Sequence, residues 1–197
     1  MSARPTGIPV KLAPYLDELI ASLSAVATLH AVYLIGSAAL GAYEHGASDV
    51  DVIAVTERSL SLAERRALAG AAEAIPCPAR RLELVVYPRG SDVWEINLNT
   101  GERATYDTAD EPGFWFVIDR AIAEEHAIAL LGPPWSEVFE PVPRDEVVAA
   151  LDDALDKVGA LNAARAWAWV EGGAWISKPD AERWLADRVR AALRAAA

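Results

Sequence analysis

Asp49, Val50 and Asp51 place two carboxylates one residue apart within an apolar run, shortly after a Gly36-Ser37 pair. On a strand, side chains two residues apart point to the same face, with Cα atoms roughly 6.6–6.8 Å apart. Carboxylates held side by side repel each other and call for a cation. Metals in two-metal sites sit about 3.5–4 Å apart, a spacing that such a pair can hold. Gly36 lets backbone approach a ligand closely, and the Ser37 hydroxyl with adjacent N–H groups can bind phosphate oxygens. These residues point to metal-assisted chemistry on a phosphate compound. Magnesium, bound through Asp49 and Asp51 and the phosphates of a nucleotide, suits the donors. Ser48 has two readings, a turn serine or a nucleotide contact.

A third acid, Glu83, lies between Leu82 and Leu84 in the run Leu82–Val86, where an unpaired carboxylate is costly unless it meets a metal or solvent. Beyond it, Leu130-Leu131-Gly132-Pro133, Phe139-Glu140-Pro141-Val142-Pro143, Arg165-Ala166-Trp167 and Ser177-Lys178 before Trp184 follow in order. The GS…DxD pair resembles the nucleotidyltransferase superfamily typified by DNA polymerase beta. The ordered series, over roughly residues 25–190, resembles the aminoglycoside (3'')-type adenylyltransferases that act on streptomycin and spectinomycin. The resemblance implies that Glu83 is the third catalytic carboxylate, acting as general base or as a ligand to a second metal. It also implies that Arg165 and Lys178 contact ATP phosphates across a domain cleft and stabilise the leaving pyrophosphate. Ser177 with Asp180 reads equally as a helix cap, which would make Lys178 a helix-start surface residue. The family holds its acceptor with a tryptophan and acidic residues on a long helix. Here the corresponding Asp152–Gly159 stretch has no tryptophan, and Asp152, Asp153 and Asp156 are the available acids.

Composition narrows the partners. Lys and Arg number 18 against 29 Asp and Glu, a net charge of −11. A nucleic-acid substrate needs a basic track, so the balance argues against one and favours a small or cationic acceptor drawn to an acidic cleft. No apolar run reaches the length of a membrane span, and the first sixteen residues lack the apolar core of a signal peptide. The expected location is cytoplasmic, with no membrane or nucleic-acid partner. Cys77 is the only cysteine, which excludes an intrachain disulfide, and the three histidines, His30, His45 and His126, have no metal-ligand spacing.

The elements that must position these residues follow from periodicity. Helices are expected over 14–27, 37–43, 61–75 (with a Ser61/Glu64 capping box), 114–125, 144–170 with a break near Gly159, and 177–195. Strands are expected over 31–35, 49–56 and 81–87, with another within 88–99. Residues 101–113 read as a polar loop and 127–131 as an apolar link. Trp167, Trp169, Trp175 and Trp184 are expected to build a helical core and its rim, with Trp94 and Trp115 nearer the cleft. The fold class is α+β: a nucleotidyltransferase-type mixed sheet with helices at 1–107, then a small helical domain at 108–197. The implied activity is magnesium-dependent transfer of AMP from ATP to a hydroxyl of a small cationic acceptor, with the aminoglycoside or aminocyclitol antibiotics of resistance enzymes foremost. A protein or metabolite acceptor, or a nucleotide-binding module without catalysis, are the other readings.

Overall fold

The computed structural model describes residues 7–195. The first six residues, on which the reading of the N-terminus partly rests, lie outside it. Among the described residues no helix is long and apolar enough to cross a membrane.

The chain opens with α1 (Ala13–Val26), which carries a proline in its first turn and buries Leu16, Leu19 and Leu23. Strand β1 (Leu29–Leu34) leads into a single helical turn, α2 (Gly36–Ala39), and β2 (Val50–Thr56) follows. Helix α3 (Leu62–Glu73) starts from the expected capping box: the Ser61 N–H donates to Glu64 Oε2 at 2.8 Å, and the Glu64 N–H returns a bond to Ser61 Oγ. Strand β3 (Leu82–Pro88) completes a β2–α3–β3 crossover, so β2 and β3 run parallel. Next come β4 (Ile96–Asn99), β5 (Arg103–Thr105), α4 (Phe114–His126) and β6 (Ile128–Leu131). Helices α5 (Arg144–Leu155), α6 (Ala160–Gly172) and α7 (Lys178–Ala195) end the described chain. The break between α5 and α6 falls at Gly159, as its helix-breaking character predicts.

The sheet has the order β5-β4-β3-β2-β1-β6, and every pairing except β2–β3 is antiparallel. Alternation sends Val50, Val52 and Ala54 of β2, with Leu82, Leu84 and Val86 of β3, into a core under α1 and α3. Ile53, Val55, Val85 and Tyr87 face the other way, toward Ala123 of α4 and the aromatic group Trp94, Trp135 and Phe139. Phe114, Ile118, Ala121 and Ile122 of α4 instead join a third cluster with Val147 and Leu151 of α5 and Trp169 of α6. Helix α4 therefore packs against the sheet on one side and the C-terminal helices on the other.

The strand expected within 88–99 is present at Ile96–Asn99, but two local expectations need correction. The polar loop at 101–113 contains β5, paired to β4 through Asn97↔Thr105 and Asn99↔Arg103. The apolar link at 127–131 is an edge strand, antiparallel to β1 through Leu34↔Ile128 and Tyr33↔Ala129. Four apolar residues carry no periodicity that separates a strand from a link, and the open edge of β1 supplies the template. The chain then turns at Gly132, at φ +82°, where a methyl group would strike the His30 carbonyl and Ala31. The Tyr33 hydroxyl donates to the Pro133 carbonyl at 2.9 Å and pins this turn to β1.

Gly132→Ala should therefore destabilise the fold by more than about 1 kcal/mol, because it combines a left-handed backbone with a clash. Gly70→Ala, at an exposed position inside α3 with open space around it, should instead stabilise by roughly 0.5–1 kcal/mol. Parallel denaturant melts compare the two.

Candidate active site

The parallel pairing of β2 and β3 sets Asp51 directly beside Glu83, with strands about 4.7–4.9 Å apart. Both side chains lie on the α4 face of the sheet, in line with Ile53 and Val85. Asp49 immediately precedes β2 and still acts electrostatically on both Asp51 and Glu83. Burial pushes the Asp51 carboxyl up to about 8, reinforced by the charges of Glu83, Asp119 and Asp49 and opposed by a bond from the Ser37 backbone N–H. Burial also raises Glu83, against the pull of Arg81.

Gly36 and Ser37 are brought to this cluster by backbone. The Ile35 N–H donates to the Asp51 carbonyl at 2.9 Å, and the chain then turns at Gly36 with φ +63°. A methyl group on Gly36 would overlap the Asp51 carboxylate, so the close approach requires glycine. Ser48 is used differently. Its hydroxyl accepts from the Glu44 N–H at 3.0 Å and holds the loop before Asp49.

Helix α4 adds an acid that the motifs did not single out. Asp119 feels the charges of Glu83 and Arg165: burial with the Glu83 charge pushes it up to about 7 while Arg165 opposes the shift. Its sequence signal was a lone acid in the apolar run Phe114–Ala123, but which element it faces is decided by packing. Arg165 reaches the same cluster from α6. Burial lowers it, while the charges of Asp119 and Asp51 act to raise it. Its Nε donates to the Ile176 carbonyl at 2.7 Å, tying the segment that leads into α7 to the site. Lys178, two residues on, is exposed at the start of α7. Ser177 and Asp180 form the helix cap, with hydroxyl to carboxylate 2.6 Å and the Asp180 N–H to Ser177 Oγ 3.2 Å.

Two further residues missed in the sequence are Arg80 and Arg81 at the entrance to β3. Arg80 grips Asp49 with both Nε, at 2.7 Å, and Nη2. Arg81 Nε donates to Glu83 Oε1 at 2.9 Å, and its Nη1 reaches Glu102. Burial works to raise Asp49, and the bond from Arg80 and the charges of Arg81 and Arg80 outweigh it, so the carboxyl sits below its ordinary range. Among the described residues no group of three or more His, Cys, Asp or Glu is gathered to hold a metal ion. Asp49 and Glu83 are held by arginines instead. The donor set nonetheless suits a hard divalent cation: all oxygens, with Asp51, Glu83 and Asp119 crowding one another for want of positive charge. Magnesium is such a cation, and Asp49 would have to leave Arg80 to bind it.

The tryptophans divide. Trp169 and Trp175 are stacked and buried in the helical core, whereas Trp167 and Trp184 meet edge to face at its rim under Arg188. Trp94 is buried against Phe116, and Trp115 is partly exposed beside Phe114. Asp152, Asp153 and Asp156 point to solvent.

A carboxyl whose value is raised in the fold binds its proton more tightly there than in the unfolded chain. The metal-free protein should therefore lose Asp51-linked stability as pH rises from the ordinary carboxylate value of 3.8 to about 8. Asp51→Asn removes that penalty, so its advantage in Tm should grow across this window and reach at least about 2–4 °C at the alkaline end. A constant Tm difference across the window would contradict the assignment.

No family model matches the chain. It is 30% identical to an "Aminoglycoside (3'') (9) adenylyltransferase" of Klebsiella pneumoniae, over 83% of this chain and 73% of the relative. The like-named enzymes of Shigella flexneri and Escherichia coli match to the same extent. The fold is similar to a crystal structure of spectinomycin adenyltransferase from Enterococcus faecialis with ATP and spectinomycin. The TM-score is 0.70 over 90% of this chain and 82% of that one, at 16% identity. With the relatives matched over most of both lengths, and the mixed α+β architecture shared with a solved adenyltransferase, the chain belongs to the aminoglycoside (3'')(9) adenylyltransferase family.

Proposed function

We propose that this nucleotidyltransferase transfers AMP from magnesium-bound ATP to a hydroxyl of a small cationic aminoglycoside or aminocyclitol, releasing pyrophosphate. The observation that carries the reading is the convergence of Asp51, Glu83 and Arg165 from three separate elements on one face of the sheet. Asp49 and Asp51 hold the cation with the triphosphate, and Glu83 either shares a second cation or serves as base. When bound, magnesium neutralises charge on the phosphates and orients them for in-line attack.

Glu83 suits the task of general base. Burial raises its proton affinity above that of an ordinary carboxylate, which favours acceptance of the proton from an acceptor hydroxyl. Gly36 lets the backbone approach the phosphates closely, and the Ser37 hydroxyl, held beside Asp51, binds their oxygens. Arg165 brings a guanidinium to offset charge on the departing pyrophosphate. Lys178 is assigned the same duty from the start of α7, and Ser48 a nucleotide contact beside its structural bond. Asp119 adds negative charge that would attract a cationic acceptor. The division into a catalytic unit of 1–107 and a helical unit of 108–197 belongs to this proposal, with β6 and the Gly132 turn returning to the sheet of the first. So do a cytoplasmic location and the absence of nucleic-acid and membrane partners.

Pyrophosphate release with ATP and magnesium should require streptomycin or spectinomycin. Glu83→Ala and Asp51→Asn should each lower kcat by at least about 100-fold with an unchanged circular dichroism spectrum. Full turnover in Asp51→Asn would remove the cation argument. Nucleotide binding without release in the presence of either drug would move the acceptor elsewhere.

A further inference from the structure

The carboxylate assigned to magnesium is already engaged. Arg80 holds Asp49 through two guanidinium nitrogens, with Nε to Oδ1 at 2.7 Å, and Arg81 Nε lies 3.5 Å from the same carboxylate. The contact is built in by backbone. The Arg80 N–H donates to the Ser48 carbonyl at 3.1 Å, and the Val50 N–H donates to the Arg81 carbonyl at 2.9 Å. These bonds clamp the arginine pair onto the segment that carries Asp49.

The two arginines are not equivalent. Arg81 is 21% exposed and bridges Glu83 and Glu102, so it is fixed within the cluster. Arg80 is 57% exposed, over a carboxylate that is only 15% exposed. Among the described residues, Asp49 is the partner that the Arg80 side chain bonds, and more than half of that side chain is exposed. It can swing away only if another anion receives the guanidinium and a cation takes its place at the largely buried Asp49 carboxylate.

We propose that Arg80 is an exchangeable counter-ion for Asp49, which yields the carboxylate to the cation only when a nucleotide triphosphate takes the guanidinium in its place. The inference rests on the magnesium-nucleotide reading above and adds an order to it. A divalent cation alone must shed water reluctantly and displace a bidentate charge-assisted pair. The cation–triphosphate complex offers phosphate oxygens to Arg80 while it delivers the metal to Asp49, so each charge exchanges one partner for another. Phosphate is a strong bidentate acceptor for arginine. The site is then closed to free metal and open to the loaded nucleotide.

Isothermal titration with Mn2+ alone, and with Mn2+ plus a nonhydrolysable α,β-methylene ATP analogue, tests this on the full chain. The parent should bind Mn2+ weakly alone and well with the analogue. Arg80→Ala should bind Mn2+ alone roughly three- to tenfold tighter, and the Mn2+–analogue complex more weakly by a similar factor. Arg80→Lys, which keeps the charge but loses the fork, should fall between them, and thermal melts check that both variants fold. Equal affinities in parent and Arg80→Ala, with normal binding of the Mn2+–analogue complex, would overturn the role of Arg80 and leave the metal site standing. Absence of Mn2+ binding in every protein, even with the analogue, would remove the metal reading and this inference with it.

Discussion

The structure is organised around one crowding of like charge. Parallel strands begin at the same end of a sheet, and β2–β3 is the one parallel pair among the described residues. Their register puts Asp51 and Glu83 side by side where both strands enter, with Asp49 one step before and Asp119 arriving from α4. Unscreened carboxylates in a partly buried position repel strongly. The neighbours answer that repulsion in turn: a backbone N–H from Ser37, the guanidiniums of Arg80 and Arg81, and Arg165 from the helical part. A core of apolar residues beneath fixes the strands so that the acids cannot drift apart.

Helix α4 makes the cleft a property of the whole chain. It contributes to the sheet-side aromatic cluster through Ala123 and to the helical core through Ile118 and Ile122. Asp119 lies between these two sets, so packing on both sides determines where its carboxylate falls. Arg165 in turn depends on the helical core, which holds α6 against α4 and α5. Its bond to the Ile176 carbonyl extends this dependence to the start of α7. A substitution among Ile118, Val147 or Trp169 would reach the carboxylates through geometry alone, without touching them.

The local parts of this arrangement were legible in the sequence. Gly36-Ser37, Asp49-Val50-Asp51 and Glu83 announce themselves because their chemistry is set by neighbours one or two residues away. The capping box at Ser61 and Glu64 and the break at Gly159 were readable for the same reason. Arg165 came from an ordered resemblance and not from its surroundings, since an arginine among alanines and tryptophans reads as a surface residue. Arg80 and Arg81 look like a solvated charge pair at a strand entrance, and only the bonds that align them with Asp49 and Glu83 reveal the contact. Strand β6 was hidden because its evidence is the vacant edge of β1, which lies about a hundred residues earlier in the chain.

The most direct measurement is the protonation of Asp51 itself, followed by carboxyl carbon NMR across pH, with and without magnesium and a nonhydrolysable ATP analogue. The charge-crowded cluster predicts that Asp51 titrates near 8 in the free protein and stays ionised through neutral and mildly acidic pH once the cation and nucleotide are bound. Titration near 3.8 in the free protein, or a value unmoved by magnesium and nucleotide, would contradict the account.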